Sequence, residues 1–355
     1  MIELSDRIKS MEESATIAMS RKSRELNALG KDVISLSLGE PDFNTPDFIK
    51  DAAKEGMDQN YTKYMAVPGY EDLRESISRK FLRDNNLNYS KDQIVVSTGA
   101  KQSIANVVLT LINPGDEVII PCPYWVSYIE IVKLAGGIPV FVASGIENDF
   151  KITGEQLQNA ITEKTKLMIF STPCNPTGSV YSKNELEGLA QVIENNPSLM
   201  VICDEIYEHI NFMGKHESLA QFSNVYDQVI TVNGVSKAWA MTGWRLGYIG
   251  APKTIAAACT KMQGQFTSGT SSISQRAAIA AMDADPKVLQ SMIQSFKSRR
   301  DLVLAKLSNM EGVKINEPEG AFYVFPDVSS FFGKSDGRIT INNASDLCVY
   351  LLSEA

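Results

Sequence analysis

Val232-Asn233-Gly234-Val235-Ser236-Lys237-Ala238-Trp239-Ala240-Met241-Thr242-Gly243-Trp244-Arg245-Leu246-Gly247 is the stretch on which the reading of this chain turns. It follows one apolar run, Val229–Val232, and enters another, Leu246–Ile249, so it lies between two candidate strands of a buried sheet. A lysine after Asn-Gly is ordinary. A lysine followed eight residues later by an arginine, among Thr, Gly and aromatic residues, is less so. The amine of Lys237 suits Schiff-base formation with an aldehyde, and the guanidinium of Arg245 suits a phosphate.

Outward from this loop, strand-like runs alternate with helix-like ones. The strand candidates are Ile94–Ser97, Glu117–Pro121, Pro139–Val142, Leu167–Ser171, Met200–Cys203, Val229–Val232 and Leu246–Ile249. Between and after them, Lys101–Leu111, Trp125–Leu134, Gly154–Ile161, Lys183–Glu194, Thr254–Gln265, Ser274–Met282 and Lys287–Ser308 read as helices. The alternation predicts an α/β fold with a mostly parallel, seven-stranded sheet. Beyond Gly312 the short apolar runs Val313–Ile315, Gly320–Pro326 and Ile339–Ile341 read as strands, and Ala344–Ser353 as a helix. Leu4–Ala28 reads as helical and is expected to pack with this C-terminal unit. The expected organisation is an N-terminal arm with part of a small domain (1–45), a large domain (46–290), and the rest of a smaller α+β domain (291–355) built from both chain ends.

The 355 residues are 44% hydrophobic and 21% charged, ordinary for a globular enzyme. A net charge of -8 argues against nucleic acid as a partner. No run approaches the ~20 apolar residues of a membrane span. The N-terminus lacks the basic-then-apolar layout of a signal peptide, and cytoplasm is the expected compartment. Five scattered cysteines with no CxxC, and only His209 and His216, suggest neither a disulfide framework nor a metal site.

Ligands of open α/β sheets collect at the carboxyl ends of strands. After Ile94–Ser97, Thr98-Gly99-Ala100-Lys101 opens a helix, either as an anion site or as a plain capped turn. After Met200–Cys203, Asp204-Glu205-Ile206-Tyr207 places a carboxylate either in a cleft, where it would hold a ring nitrogen protonated, or at a surface loop. After Leu167–Ser171, Asn175 sits between Pro173 and Pro176 in a rigid turn, its amide free to meet a phenolate or doing nothing more. After Glu117–Pro121, Trp125 either covers a planar ring or packs under its helix. With Lys237 these five features supply a phosphate cradle, a stacking ring, a phenolate donor, a pyridinium partner and an aldehyde lysine. Together those are the contacts of pyridoxal 5′-phosphate.

The chain resembles the class I aminotransferases of pyridoxal-phosphate fold type I, and is similar to the bacterial aspartate aminotransferases of the thermophile-type subgroup. The resemblance rests on Ser37-Leu38-Gly39-Glu40-Pro41-Asp42-Phe43, Tyr61-Thr62-Lys63-Tyr64, Gly99-Ala100-Lys101-Gln102, Pro123-Tyr124-Trp125, Asn175-Pro176-Thr177-Gly178, Asp204-Glu205-Ile206-Tyr207 and Ser236-Lys237 through Gly247. It implies that Lys237 forms the Schiff base and shuttles the proton. It implies that Asp204 pairs with the pyridine nitrogen, that Tyr207 and Asn175 bond the phenolic oxygen, and that Trp125 stacks on the ring. The backbone of Gly99, Ala100 and Lys101, with Ser236 and Arg245, would take the phosphate. Tyr64 would reach the phosphate of a neighbouring subunit, which implies a homodimer with shared sites. Gly39, Trp125 and Asn175 lie on the substrate side. Ser14, Thr16 and Lys101 match the subgroup's pattern for the distal carboxylate of a dicarboxylic amino acid.

The activity implied is ping-pong transfer of the amino group of L-aspartate to 2-oxoglutarate, giving oxaloacetate and L-glutamate. Another amino acid, a lyase reaction on the same fold, or a non-catalytic cofactor-binding domain are the alternatives. Subgroup members that also use prephenate tend to carry a lysine where this chain has Glu12, a departure that puts prephenate use in doubt. The family's α-carboxylate arginine has no counterpart after Arg338, which lies in a turn, and the chain is expected to be a piece of a longer one.

Overall fold

The computed structural model describes residues 2–12 and 15–354, so the reading of Ser14 as a substrate contact lies outside the described residues. Seven strands form one sheet: β1 (Ile94–Ser97), β2 (Glu117–Cys122), β3 (Ile138–Ala143), β4 (Thr165–Ser171), β5 (Met200–Asp204), β6 (Val229–Gly234) and β7 (Gly247–Gly250). Their order is β1-β7-β6-β5-β4-β2-β3. The pairings from β3 through β2, β4 and β5 to β6 are parallel. β7 is antiparallel to both its neighbours. Parallel neighbours need a long crossover, usually helical, whereas β6 and β7 are joined directly by segment 235–246, which turns over residues 236–240 and again at Thr242–Trp244.

Side chains alternate across the sheet with the strand period of two. Leu167 and Ile169 of β4 enter one core with Val118, Ile202 and Ile249. Met168 and Phe170 enter the opposite core with Ile119, Val201 and Tyr248. Both faces of the central strands are covered by helices, which is why residues 167–170 and 201–203 are apolar without a break rather than on every second residue. Two helices not anticipated above, Asp47–Asp58 and Glu71–Lys80, pack on Ser272–Asp283.

Two expectations are corrected. The C-terminal runs Val313–Ile315, Gly320–Pro326 and Ile339–Ile341 form no strands, and contribute only isolated bridges. Strand-like composition makes a strand only where a partner strand lies alongside. Here the backbone bonds loops instead: Ala321 N–H donates to Ile210 O at 2.7 Å, and Glu319 and Gly320 N–H both donate to Gly178 O at 2.9 Å. The N-terminal helix Leu4–Ala28 is two helices, Asp6–Lys9 and Ala15–Ala28. The Ser10 hydroxyl donates to Arg7 O at 3.0 Å where the first one ends, the competition with helical bonding that serine offers.

A buried ionic cluster supports the turn that follows β5. Lys80, 1% exposed, pairs with Glu208 and donates to Asn85 Oδ1 at 2.8 Å. Asn85 Nδ2 donates to Glu208 Oε2 at 2.8 Å. Burial opposes the charge on Glu208, yet Lys80 and the two histidines hold its carboxyl down at about 2. Asp84, Glu208 and His209 bring ligand-type atoms within 4.8 Å of one another, and the ammonium of Lys80 already supplies positive charge there. Glu205 lies on the same turn, accepting from Ser218 Oγ at 2.6 Å and facing His216 Nε2 at 3.0 Å.

Removing one partner of such a pair leaves a buried, uncompensated charge. Lys80→Met is expected to lower stability by ~3–5 kcal/mol in urea denaturation, and Lys80→Met/Glu208→Leu to recover most of that loss. Equal stability of wild type and Lys80→Met would remove the cluster as the anchor of the turn.

Candidate active site

The parallel strands β1, β4, β5 and β6 end on the same edge of the sheet, and a cavity of about 1200 Å³ opens there. Its lining brings together Gly39, Ala100, Lys101, Trp125, Asn175, Asp204, Tyr207, Ser236, Lys237 and Arg245, which the sequence places at six separate points of the chain.

One end is built for an anion. β1 leads through Gly99 into the helix Ala100–Leu111, whose first N–H groups have no intrahelical acceptor. Gly99 has φ +86°, and a Cβ there would stand 2.4 Å from Arg245 Nη2. A Cβ on Gly247 would stand 2.2 Å from Ala100 N. Both glycines are therefore required for β7 and the Arg245 guanidinium to come this close to the helix start. Arg245 itself has φ +55°, and its Nη1 donates to Thr242 O at 2.8 Å. Ser236 is buried beside it. Lys101 lies 5.0 Å from the Trp125 ring, and burial, then Arg245, pulls its amine below the ordinary lysine value. This cradle of helix N-terminus, hydroxyl and guanidinium fits a phosphate monoester.

Asp204, the last residue of β5, is 4% exposed at the floor of the cavity. Burial lifts its carboxyl to about 6, against the bonds that hold it charged. Those bonds come from Tyr128 Oη to Oδ2 at 2.8 Å and from Ile206 N–H to Oδ1 at 3.2 Å. A carboxylate so placed is stabilised by any adjacent cation, including a protonated ring nitrogen. Tyr128 was not anticipated. It lies one helical turn beyond Trp125, with ring centroids 5.5 Å apart and planes at 89°, and only its reach to Asp204 marks it.

Lys237 stands above this floor. Its Nζ donates to Gly39 O at 2.7 Å and lies 5.8 Å from the Tyr207 ring centroid. Burial, with Arg245 adding to it against Glu40 and Asp204, brings the amine down to about 8. Asn175 Nδ2 and the Tyr207 hydroxyl converge on the hydroxyl of Tyr323, at 3.2 and 2.6 Å. Tyr323 was also not anticipated, since nothing in Phe322-Tyr323 signals a position facing residues so distant in sequence.

Thr16 lines the same cavity, as Lys101 does. Tyr64 does not line it; its side chain is fully exposed in the single chain. Arg338 lies away from it, paired with Glu354 at 2.9 Å and Asp336 at 3.4 Å. All five cysteines are unpaired, and among the described residues no helix is long and apolar enough to cross a membrane.

Residues 31–354 match the sequence profile of the family described as aminotransferase class I and II. The chain is 48% identical over 359 residues to a bifunctional aspartate aminotransferase and glutamate/aspartate-prephenate aminotransferase of Petunia hybrida, covering 100% of this chain and 75% of that protein. It is 47% identical to an aspartate/prephenate aminotransferase of Cereibacter sphaeroides, covering 99% and 88%. Among solved structures, the aspartate aminotransferase of Rhizobium meliloti superposes with a TM-score of 0.96 at 39% identity, covering 100% of this chain and 89% of that one. The Thermus thermophilus aspartate aminotransferase with maleate gives 0.88 at 39% identity, covering 93% and 86%.

The Tyr128 bond favours the charged form of Asp204, so its loss raises the carboxyl further. In the cofactor-free protein, the Asp204 carboxyl followed by carbon NMR is expected to titrate at about 6. Tyr128→Phe should move that midpoint upward by roughly half a unit to one unit. A downward or absent shift would show that the hydroxyl does not support the charge.

Proposed function

Because the chain belongs to the class I and II aminotransferases, we propose that it binds pyridoxal phosphate and moves the amino group of L-aspartate to 2-oxoglutarate. The observation that carries the reading is one cavity holding a lysine amine at about 8, a buried carboxylate and an anion cradle. When bound, the cofactor supplies an aldehyde for the amine and a ring that takes up the electron pair left when the α-proton departs.

The chain's own residues do the rest. The amine of Lys237 would hold the aldehyde group of the cofactor and, when free, would serve as the base that takes up and gives back the substrate's α-proton. At about 8, roughly one such amine in ten is neutral at pH 7, far more than for an ordinary lysine. Asp204 would hold the ring nitrogen protonated, Tyr207 and Asn175 would donate to the phenolic oxygen, and Trp125 would cover one ring face. Gly99, Ala100 and Lys101 backbone groups, with Ser236 and Arg245, would hold the phosphate, and Gly39 would border the substrate. Thr16 and Lys101 in the cavity lining support a dicarboxylic substrate, as do the relatives named for aspartate and the Thermus structure with maleate. We read Tyr64 as crossing to the phosphate of a second copy, so that the working unit is a homodimer. The unpaired cysteines support a reducing compartment, the cytoplasm.

The purified protein is expected to be yellow, and borohydride should abolish the colour and leave the reduced adduct on Lys237 by peptide mapping. An adduct on another lysine would reject the assignment. With aspartate and 2-oxoglutarate, Asp204→Asn should lose about a thousandfold in kcat, ~4 kcal/mol of transition-state stabilisation, while retaining cofactor. Prephenate in place of 2-oxoglutarate should be the poorer acceptor. Mixing Lys237→Ala with Tyr64→Phe subunits should yield heterodimers with one intact site and activity above either parent; proven heterodimers with no recovery would show that each site is self-contained.

A further inference from the structure

The Tyr323 hydroxyl sits between two groups assigned above to the cofactor. Asn175 Nδ2 can only donate, so the Tyr323 oxygen accepts that bond, at 3.2 Å. The Tyr323 hydroxyl also lies 2.6 Å from Tyr207 Oη, a pair in which either hydroxyl can donate. When Tyr323 donates in this pair, the proton of Tyr207 is free to turn toward the cavity. Both phenols keep their protons: burial pushes Tyr323 up to about 12 and Tyr207 well above the ordinary phenol value.

The place of Tyr323 is built, not incidental. A Cβ on Gly39 would stand 2.2 Å from the Tyr323 hydroxyl and 2.7 Å from its ring, so only glycine at 39 admits the phenol. The ring packs against Phe322 at 4.9 Å and edge-on to Tyr207 at 5.6 Å. Just before it, Gly320 N–H is tied to Gly178 O, on the same turn as Asn175. The C-terminal segment and the Asn175 turn are thus held in mutual register.

Resting on the cofactor reading above, we propose that Tyr323 is a positioning residue: as the middle link of an Asn175–Tyr323–Tyr207 relay, its hydroxyl aims the Tyr207 proton at the phenolic oxygen of bound pyridoxal phosphate. Bonds in such a chain polarise one another, so Tyr207 is a stronger donor with Tyr323 behind it than alone. A stronger donor stabilises the phenolate and loosens the proton held at the neighbouring Schiff-base nitrogen of Lys237.

The test is a pH titration of the visible absorbance of the holoprotein without substrate, which reads that proton directly. Tyr323→Phe keeps the ring and removes the hydroxyl, and should move the midpoint upward by roughly half a unit. Tyr207→Phe should move it further, and Tyr207→Phe/Tyr323→Phe no further than Tyr207→Phe alone. Gly39→Ala, which displaces the phenol without altering it, should reproduce the Tyr323→Phe shift. An unchanged midpoint in Tyr323→Phe with full cofactor content would overturn the relay, as would additive shifts in the double variant. Failure of the cofactor reading is separate, since the wild-type protein would then show no borohydride-sensitive band and both readings would fall.

Discussion

Gly247 packs against Gly234 on one side and against the start of the helix Ala100–Leu111 on the other, and the site depends on that double approach. A Cβ on Gly234 would stand 2.9 Å from Gly247 Cα, and one on Gly247 would stand 2.2 Å from Ala100 N. Because Gly234 and Gly247 are paired across the antiparallel β6–β7 ladder, segment 235–246 is pinned at both ends. Lys237 and Arg245 lie near opposite ends of it. The same contact that closes the loop also brings the guanidinium against Gly99, so the placement of Lys237 and of the anion cradle is set by one piece of backbone packing.

Burial then tunes what this geometry collects. It lowers the Lys237 amine to about 8 and raises the Asp204 carboxyl to about 6, drawing two groups of ordinarily distant titration into neighbouring ranges. Each is held from going further by partners: Glu40 and Asp204 for the amine, and Tyr128 and the Ile206 N–H for the carboxyl. Candidate acid–base sites commonly show such matched, opposed shifts. Beside the same turn, the buried Lys80 and Asn85 bond Glu208, the residue that follows Tyr207.

Much of this was legible in the sequence. The seven strands were visible because each is a short apolar run bounded by Gly, Pro or polar residues. Gly99, Trp125, Asn175, Asp204 and Lys237 were singled out because they stand at or shortly past a strand end, where an α/β sheet gathers ligands. Illegible were the features that depend on a distant partner. The antiparallel course of β7 is a matter of connection length and pairing, not of the composition of Leu246–Ile249. The runs near Val313, Gly320 and Ile339 carry strand composition but find loops, not strands, beside them.

The sequence by itself determined the α/β class, the strand set and the reactive groups at the strand ends, because periodicity and side-chain chemistry are local properties. Only the tertiary structure decided which groups meet. Tyr128 on Asp204 and Tyr323 on Tyr207 and Asn175 are ordinary tyrosines in the linear chain. They acquire roles because a hydrogen bond requires two atoms within about 3 Å, and only the packed fold brings residues so far apart in sequence to that distance.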